Sequence, residues 1–177
     1  MCSIRVEPRI ETERLVLTPA SADYVDRLIP IINDFDIARM TTRIPYPYGQ
    51  AEADAFRQHL ALTDISRDST LQIETRDGEL IGAVGAHLRD NPFPEIGYWI
   101  ARGHWGKGYA TEAAIAIRDW ARRAFNCRAL IAGHFADNEA SGRVLVKCGF
   151  LYTGEVQRRF SLARGEDAAT RMMVWLA

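Results

Sequence analysis

The chain has 177 residues, 47% hydrophobic and 25% charged, with a formal net charge of −1; at ~150 residues per domain it is expected to form one domain spanning residues 1–177. A charge so nearly balanced leaves no broad basic field for a phosphate backbone or an anionic bilayer surface, so neither nucleic acid nor a membrane is an expected partner. No run approaches the ~18 consecutive apolar residues of a membrane span, and residues 1–14 lack the apolar stretch of an export signal.

Leu15-Val16-Leu17 reads as a short strand. Pro19 stops it, and Ser21 offers an N-cap for a helix whose apolar face is Val25, Leu28, Ile29 and Ile32, with Pro30 expected to kink or end it. Residues 41–50 carry two prolines that fix an extended loop displaying Tyr46 and Tyr48, a wall for a site, before a second helix bearing Phe56 and Leu60. Residues 70–75 and 79–88 are strand-like runs joined by Asp77-Gly78, a hairpin signal because the turn requires positive φ. After the break at Asp90-Asn91-Pro92 comes a third strand, Glu95-Ile96-Gly97-Tyr98-Trp99-Ile100, then a glycine-rich turn. A helix over residues 109–125 follows, with Ala110, Ala113, Ile117, Ala121 and Ala124 on one stripe and Glu112, Arg118, Asp119, Arg122 and Arg123 off it. Leu130-Ile131-Ala132 is a buried strand. A short helix from Asn138 ends at Gly149-Phe150, where glycine suits the left-handed position past the helix and Phe150 the contact that accompanies it. Strands near 151–160 and 170–176 close the chain, giving a mixed α/β domain with one strand–helix–strand crossover.

Chemistry concentrates where the third strand ends. Gly103-His104-Trp105-Gly106-Lys107-Gly108 feeds directly into a helix, whose first amides have no partner inside it, so the turn is suited to an anion such as a pyrophosphate. A tight turn without a ligand is the alternative. The segment is not a P-loop, because Lys107 is followed by Gly108 rather than Ser or Thr. It is not a dinucleotide fingerprint either, because Thr111 stands where the third glycine belongs.

Trp105-Gly106-Lys107-Gly108-Tyr109-Ala110-Thr111-Glu112-Ala113 resembles the acetyl-coenzyme A motif of the GNAT acetyltransferase superfamily. Gly108 and Ala110 fill its last two positions, while Trp105 replaces its leading polar residue, a departure that resembles the Rim-type ribosomal-protein N-terminal acetyltransferases. Asn138-Glu139-Ala140-Ser141 followed by Lys147-Cys148-Gly149-Phe150 resembles a second pair of motifs in that branch, and Glu95 to Ile100 its fourth strand. The resemblance runs along nearly the whole chain. It implies a GNAT-like fold with a mostly antiparallel central sheet of about seven strands and about four helices, and direct acetyl transfer from acetyl-CoA to an amine. It further implies cofactor contacts from Trp105, Gly106, Lys107, Gly108, Tyr109, Ala110 and Thr111 at the phosphates. Trp99, Ile100 and Ala101 would pair with pantetheine as a strand edge would, and Asn138 and Ser141 would lie along its arm.

Glu95 is the candidate general base, directly or through water; a solvated strand-end carboxylate is the alternative, and the glutamate often found on this strand in the family favours the base. Leu145 stands where family members often have a tyrosine that protonates the leaving thiolate, and Ser141, one helical turn earlier on the same face, is the candidate replacement. Asn138 is expected to touch the cofactor rather than to cap its helix. His104 is expected to be an exposed loop residue. His59, His87 and His134 share no metal-ligand spacing, so no metal is expected. Cys2, Cys127 and Cys148 form no pairing pattern, which points to a reducing, cytoplasmic compartment, and Cys148 is not expected to carry an acyl group. An α-amine, with a reference pKa of ~7.7–8.0, is partly neutral near neutrality whereas a lysine or polyamine amine near ~10.4 is not. A protein N-terminus is therefore the expected acceptor. A small-molecule acetyltransferase, acting on an antibiotic or polyamine, and a non-catalytic acyl-CoA-binding module are the alternatives.

Overall fold

The computed structural model describes residues 8–65, 67–88 and 92–177; Cys2 and the Asp90-Asn91 part of the expected break lie outside them. The elements in order are β1 (Ile10–Glu11), β2 (Leu15–Pro19), α1 (Ala22–Ile32), α2 (Phe35–Ala38), α3 (Gln50–Leu62), β3 (Asp68–Thr75), β4 (Leu80–His87), β5 (Glu95–Ile100), α4 (Tyr109–Ala124), β6 (Ala129–Phe135), α5 (Glu139–Lys147), β7 (Leu151–Ser161) and β8 (Glu166–Leu176). All eight strands lie in one sheet in the order β1-β2-β3-β4-β5-β6-β8-β7. Every junction is antiparallel except β5 to β6, the two ends of the crossover through α4. The additions to the expected elements are β1, two residues long, and α2, four residues long, both too short to show a period.

Helices cover both faces. On one, α4 lays Ala113, Ala114, Ile117 and Ala121, all fully buried, against Val84, Ala86, Ile96 and Ile100. Three of these four are alanines, so the helix backbone lies close to the sheet. Ala124 is exposed because the helix ends there. On the other face α1 buries Tyr24, Val25, Leu28 and Ile32 in a second core with Ala53, Leu80 and Ala83, and each large side chain so covered contributes about 1.5–3 kcal/mol. Ser21 caps α1 by accepting from the Tyr24 amide at 3.2 Å. Pro30 sits in the last turn, and the helix runs two residues past it.

Two features of the sheet position the site. Strand alternation sends Ile96, Tyr98 and Ile100 of β5 towards α4 and α5, and Glu95, Gly97 and Trp99 towards α1 and α3. The second is a gap: β5 and β6 pair only at Glu95 and Ile131, with Ile131 N–H donating to Pro94 O at 2.9 Å. Beyond that point the β6-facing edge of β5 has no strand partner among the described residues.

Candidate active site

β5 leads through a 3-10 turn at Arg102–His104 into α4. Gly106 and Gly108 have φ of +75° and +84°, a backbone that glycine alone adopts without strain. The first helical bond of α4 is Glu112 N–H to Gly108 O at 3.1 Å. The amides of Tyr109, Ala110 and Thr111 therefore lack intrahelical partners and form the positive end of the helix dipole. Trp105 braces the turn, its indole N–H donating to Ile100 O at 2.7 Å. The Lys107 side chain is exposed.

A strut that the sequence did not disclose holds this turn. Arg14 donates to Lys107 O at 2.9 Å and stacks its guanidinium 4.6 Å from the centre of the Tyr109 ring. Glu112 anchors it, 2.7 Å from the guanidinium, and also accepts from Thr12 Oγ1 at 2.6 Å and Arg14 N–H at 2.8 Å. Burial alone would raise the Glu112 carboxyl, but the bonds from Thr12 and Arg14 outweigh it and hold the group below its ordinary value. The sequence places Glu112 only off the apolar stripe of its helix; nothing local signals a partner 98 residues away. His104 also departs from expectation. Its side chain is 17% exposed, Nε2 lies 3.1 Å from Glu79, and Nδ1 is buried without a partner among the described residues. That orphaned nitrogen, on a ring 5.9 Å from that of Tyr109, fits a site that expects a polar ligand.

From this turn a cavity of roughly 1350 Å³ runs through the gap, lined on one side by Tyr109, Ala110 and Ser141 and on the other by Tyr24, Phe56 and His59. Ala101 N–H donates to Ile81 O on β4. By the antiparallel alternation Trp99 also turns its backbone groups to β4, leaving those of Tyr98 and the N–H of Ile100 on the gap, since Ile100 O accepts from the Trp105 indole. The edge expected from Trp99, Ile100 and Ala101 is thus displaced by one residue.

Ser141 stands in the first turn of α5, its Oγ 2.9 Å from the Tyr98 hydroxyl, which also donates to Ser141 O at 3.1 Å. Burial pushes the Tyr98 phenol up, partly offset by the bond to Ser141. Tyr98 was passed over in the sequence because it read only as a strand residue. Asn138 caps α5, its Oδ1 accepting from Ser141 N–H at 3.1 Å. The capping role ranked second in the sequence is built, and the side-chain amide remains for a ligand. Leu145 is a core residue: Phe150 N–H donates to Leu145 O and Gly149 N–H to Val146 O, closing α5 in a Schellman motif with both side chains buried.

On the α1/α3 face, Asp68, His87 and Glu95 form one rung across β3, β4 and β5, each the register partner of the next. His87 Nδ1 bonds to the Asp68 carboxylate, Arg43 approaches His87 Nε2 at 3.3 Å, and Arg159 pairs with Glu95. The loop before α3 closes over this floor. Ser161 Oγ donates to Thr41 O at 2.9 Å, Leu162 N–H to Thr42 O at 3.1 Å and Arg164 Nε to Arg39 O at 2.6 Å. The expected aromatic wall divides: Tyr48 is buried and lines the cavity, its phenol pushed up to about 12 by burial and by Glu52. Tyr46 instead packs on Phe35. Cys148 is fully buried and burial pushes its thiol up to about 11, which suits no nucleophile. Among the described residues no three His, Cys, Asp or Glu side chains gather in a way that would hold a metal.

Comparison with known proteins agrees with this geometry. The acetyltransferase (GNAT) domain family matches residues 14–151. The uncharacterized N-acetyltransferase YoaA of Bacillus subtilis (strain 168) is 30% identical over 175 residues, 93% of this chain and 94% of YoaA. Among solved structures, RimL, a ribosomal L7/L12 alpha-N-protein acetyltransferase in complex with coenzyme A, superposes with a TM-score of 0.82 at 19% identity over 96% of this chain and 98% of its own. Spermidine N-acetyltransferase from Vibrio cholerae, with CoA and spermine, does so with a TM-score of 0.77 at 18% identity over 93% and 96%.

Proposed function

Because the chain belongs to the GNAT acetyltransferase family, we propose that it transfers acetyl from acetyl-CoA to a primary amine, and that this amine is the α-amine of a protein N-terminus. The carrying observation is the cavity through the gap, which brings a phosphate-suited helix end and a proton-handling floor to opposite ends of one passage. Acetyl-CoA supplies an activated thioester. The amides of Tyr109, Ala110 and Thr111, with the turn from Trp105 through Gly106, Lys107 and Gly108, take its pyrophosphate. The exposed edge of β5 at Tyr98 and Ile100 pairs with the amides of its arm, near the Asn138 side chain. Ser141, backed by Tyr98, donates to the sulfur as it leaves. Glu95 faces the incoming amine and takes its proton, directly or through water.

The charges of the floor support an α-amine over a polyamine. Asp68 and Glu95 are engaged by His87 and Arg159, and Arg43 stands beside them. A polycation would find both acids of this rung already paired. Thiol release from acetyl-CoA, measured in parallel with N-terminal peptides, spermidine and aminoglycosides, tests the reading. Peptides are expected to be the best acceptors. Preference for spermidine would reassign the substrate, and binding of acetyl-CoA without turnover of any amine would mark a non-catalytic module.

A further inference from the structure

The rung Asp68–His87–Glu95 contains a group that the acetyltransferase reading leaves unused. His87 lies at the centre, its side chain 9% exposed, and its ring folds back over Gly85, where a Cβ would come within 2.5 Å of Nε2. Gly97 is the register partner of Gly85 on β5, and nothing lies within 4 Å of a Cβ built there. The sheet is therefore bare beside the imidazole, and both His87 and Glu95 line the cavity. Since a guanidinium only donates, the contact from Arg43 makes Nε2 an acceptor, and Nδ1–H donates to Asp68. The ring thus has a carboxylate behind Nδ1 and its Nε2 turned to Arg43. Burial would raise the Asp68 carboxyl, yet the bond from His87, with the charges of Arg43 and His59, holds it below its ordinary value.

We propose that His87, polarised by Asp68, is the terminal acceptor of the proton shed by the amine substrate, which reaches it by way of Glu95 or a water held there. The proposal rests on the acetyltransferase reading. An α-ammonium must lose two protons to become an amide. One passes to His87 Nε2 as the 3.3 Å contact from Arg43 gives way, and it later returns to solvent. As the C–N bond forms and the C–S bond breaks, the second balances the departing thiolate through Ser141. A carboxylate alone is a poor sink: reference pKa values of ~4.3 for Glu, ~6.5 for His and ~7.7–8.0 for an α-amine put the imidazole much nearer to the proton's source. The charged or titratable groups facing His87 are Asp68 from β3, Arg43 from the loop before α3, His59 from α3, next to Asp68, and Glu95 from β5, itself bound by Arg159 from β7.

The test is kcat/KM for the amine against pH in wild type, His87→Gln and Asp68→Asn, beside acetyl-CoA affinity and Tm. His87→Gln is expected to slow transfer by ~100-fold or more and to lose the acidic limb, with acetyl-CoA affinity unchanged. Asp68→Asn removes the carboxylate that favours the imidazolium, so its acidic limb is expected to move to lower pH, a displacement that loss of packing would not produce. Should His87→Gln fail to bind acetyl-CoA, the Asp68→Asn limb decides. A wild-type limb in either folded variant overturns the proposal. Absence of wild-type thiol release with every amine overturns instead the acetyltransferase reading beneath it.

Discussion

The two ends of the cavity are built differently. At the phosphate-suited end the parts come from one continuous stretch, and what they offer is mostly backbone: two glycines at positive φ, three amides without partners and the edge of a strand. At the acceptor end the parts are side chains brought together from afar. His87 meets Asp68 across 19 residues, Arg159 meets Glu95 across 64, and Ser161 meets Thr41 across 120. A backbone site is damaged by adding atoms, whereas a side-chain site is damaged by removing them.

Four substitutions sharpen that contrast. Gly108→Val adds a β-branched side chain at φ +84° and 3.4 Å from the Arg14 guanidinium, and is expected to abolish the rise in Tm that acetyl-CoA gives by mass action. Retained affinity would place the phosphates elsewhere. Glu95→Gln is expected to lower kcat by about 100-fold with little change in the KM for acetyl-CoA; an unchanged kcat would leave Glu95 as the partner of Arg159 only. Ser141→Ala should reduce kcat by ~10- to 100-fold, a modest loss because thiolate, with a reference pKa of ~8.5, is a tolerable leaving group. Full activity would pass the donor role to Tyr98 or solvent.

The smallest effect is expected from Glu112→Ala, which loosens the strut without touching the cavity floor. Hydrogen bonds to a charged group contribute about 1.5–3 kcal/mol, so Tm at neutral pH should fall by roughly 3–12 °C. The folded carboxyl titrates below its ordinary value, so the unfolded chain takes up the proton first. This stabilisation is complete above the ordinary carboxylate range and is lost as pH falls through the folded value. The gap in Tm between variant and wild type should therefore narrow as pH falls below the ordinary carboxylate range; a constant gap would mean that packing, not charge, sustains the strut.

Legibility in the sequence follows the same division. The Asp77-Gly78 hairpin, the Gly149 cap with Phe150 and the glycine turn before α4 are local, and each was readable because a turn geometry constrains the residue allowed. The place of Ser141 on its helix face follows from spacing, but its hydrogen bond to Tyr98 does not, since a tyrosine in a strand carries no mark of the helix above it. The cap at Asn138 was hard to rank because an asparagine before a helix can cap with its oxygen and meet a ligand with its amide. Arg14 and Glu112 were invisible as a pair, and so was the rung through His87, because register between strands is fixed by the folded sheet and not by any local pattern.

The single pairing of β5 with β6 has a kinetic consequence. Because one cavity is lined from both faces of the sheet, both substrates can occupy it at once, and no covalent acyl-protein has to wait between two visits. Initial rates measured while varying both substrates should give intersecting reciprocal plots, the signature of a ternary complex. Each product should then inhibit mainly from its own side of the sheet, free coenzyme A against acetyl-CoA and acetylated peptide against the amine.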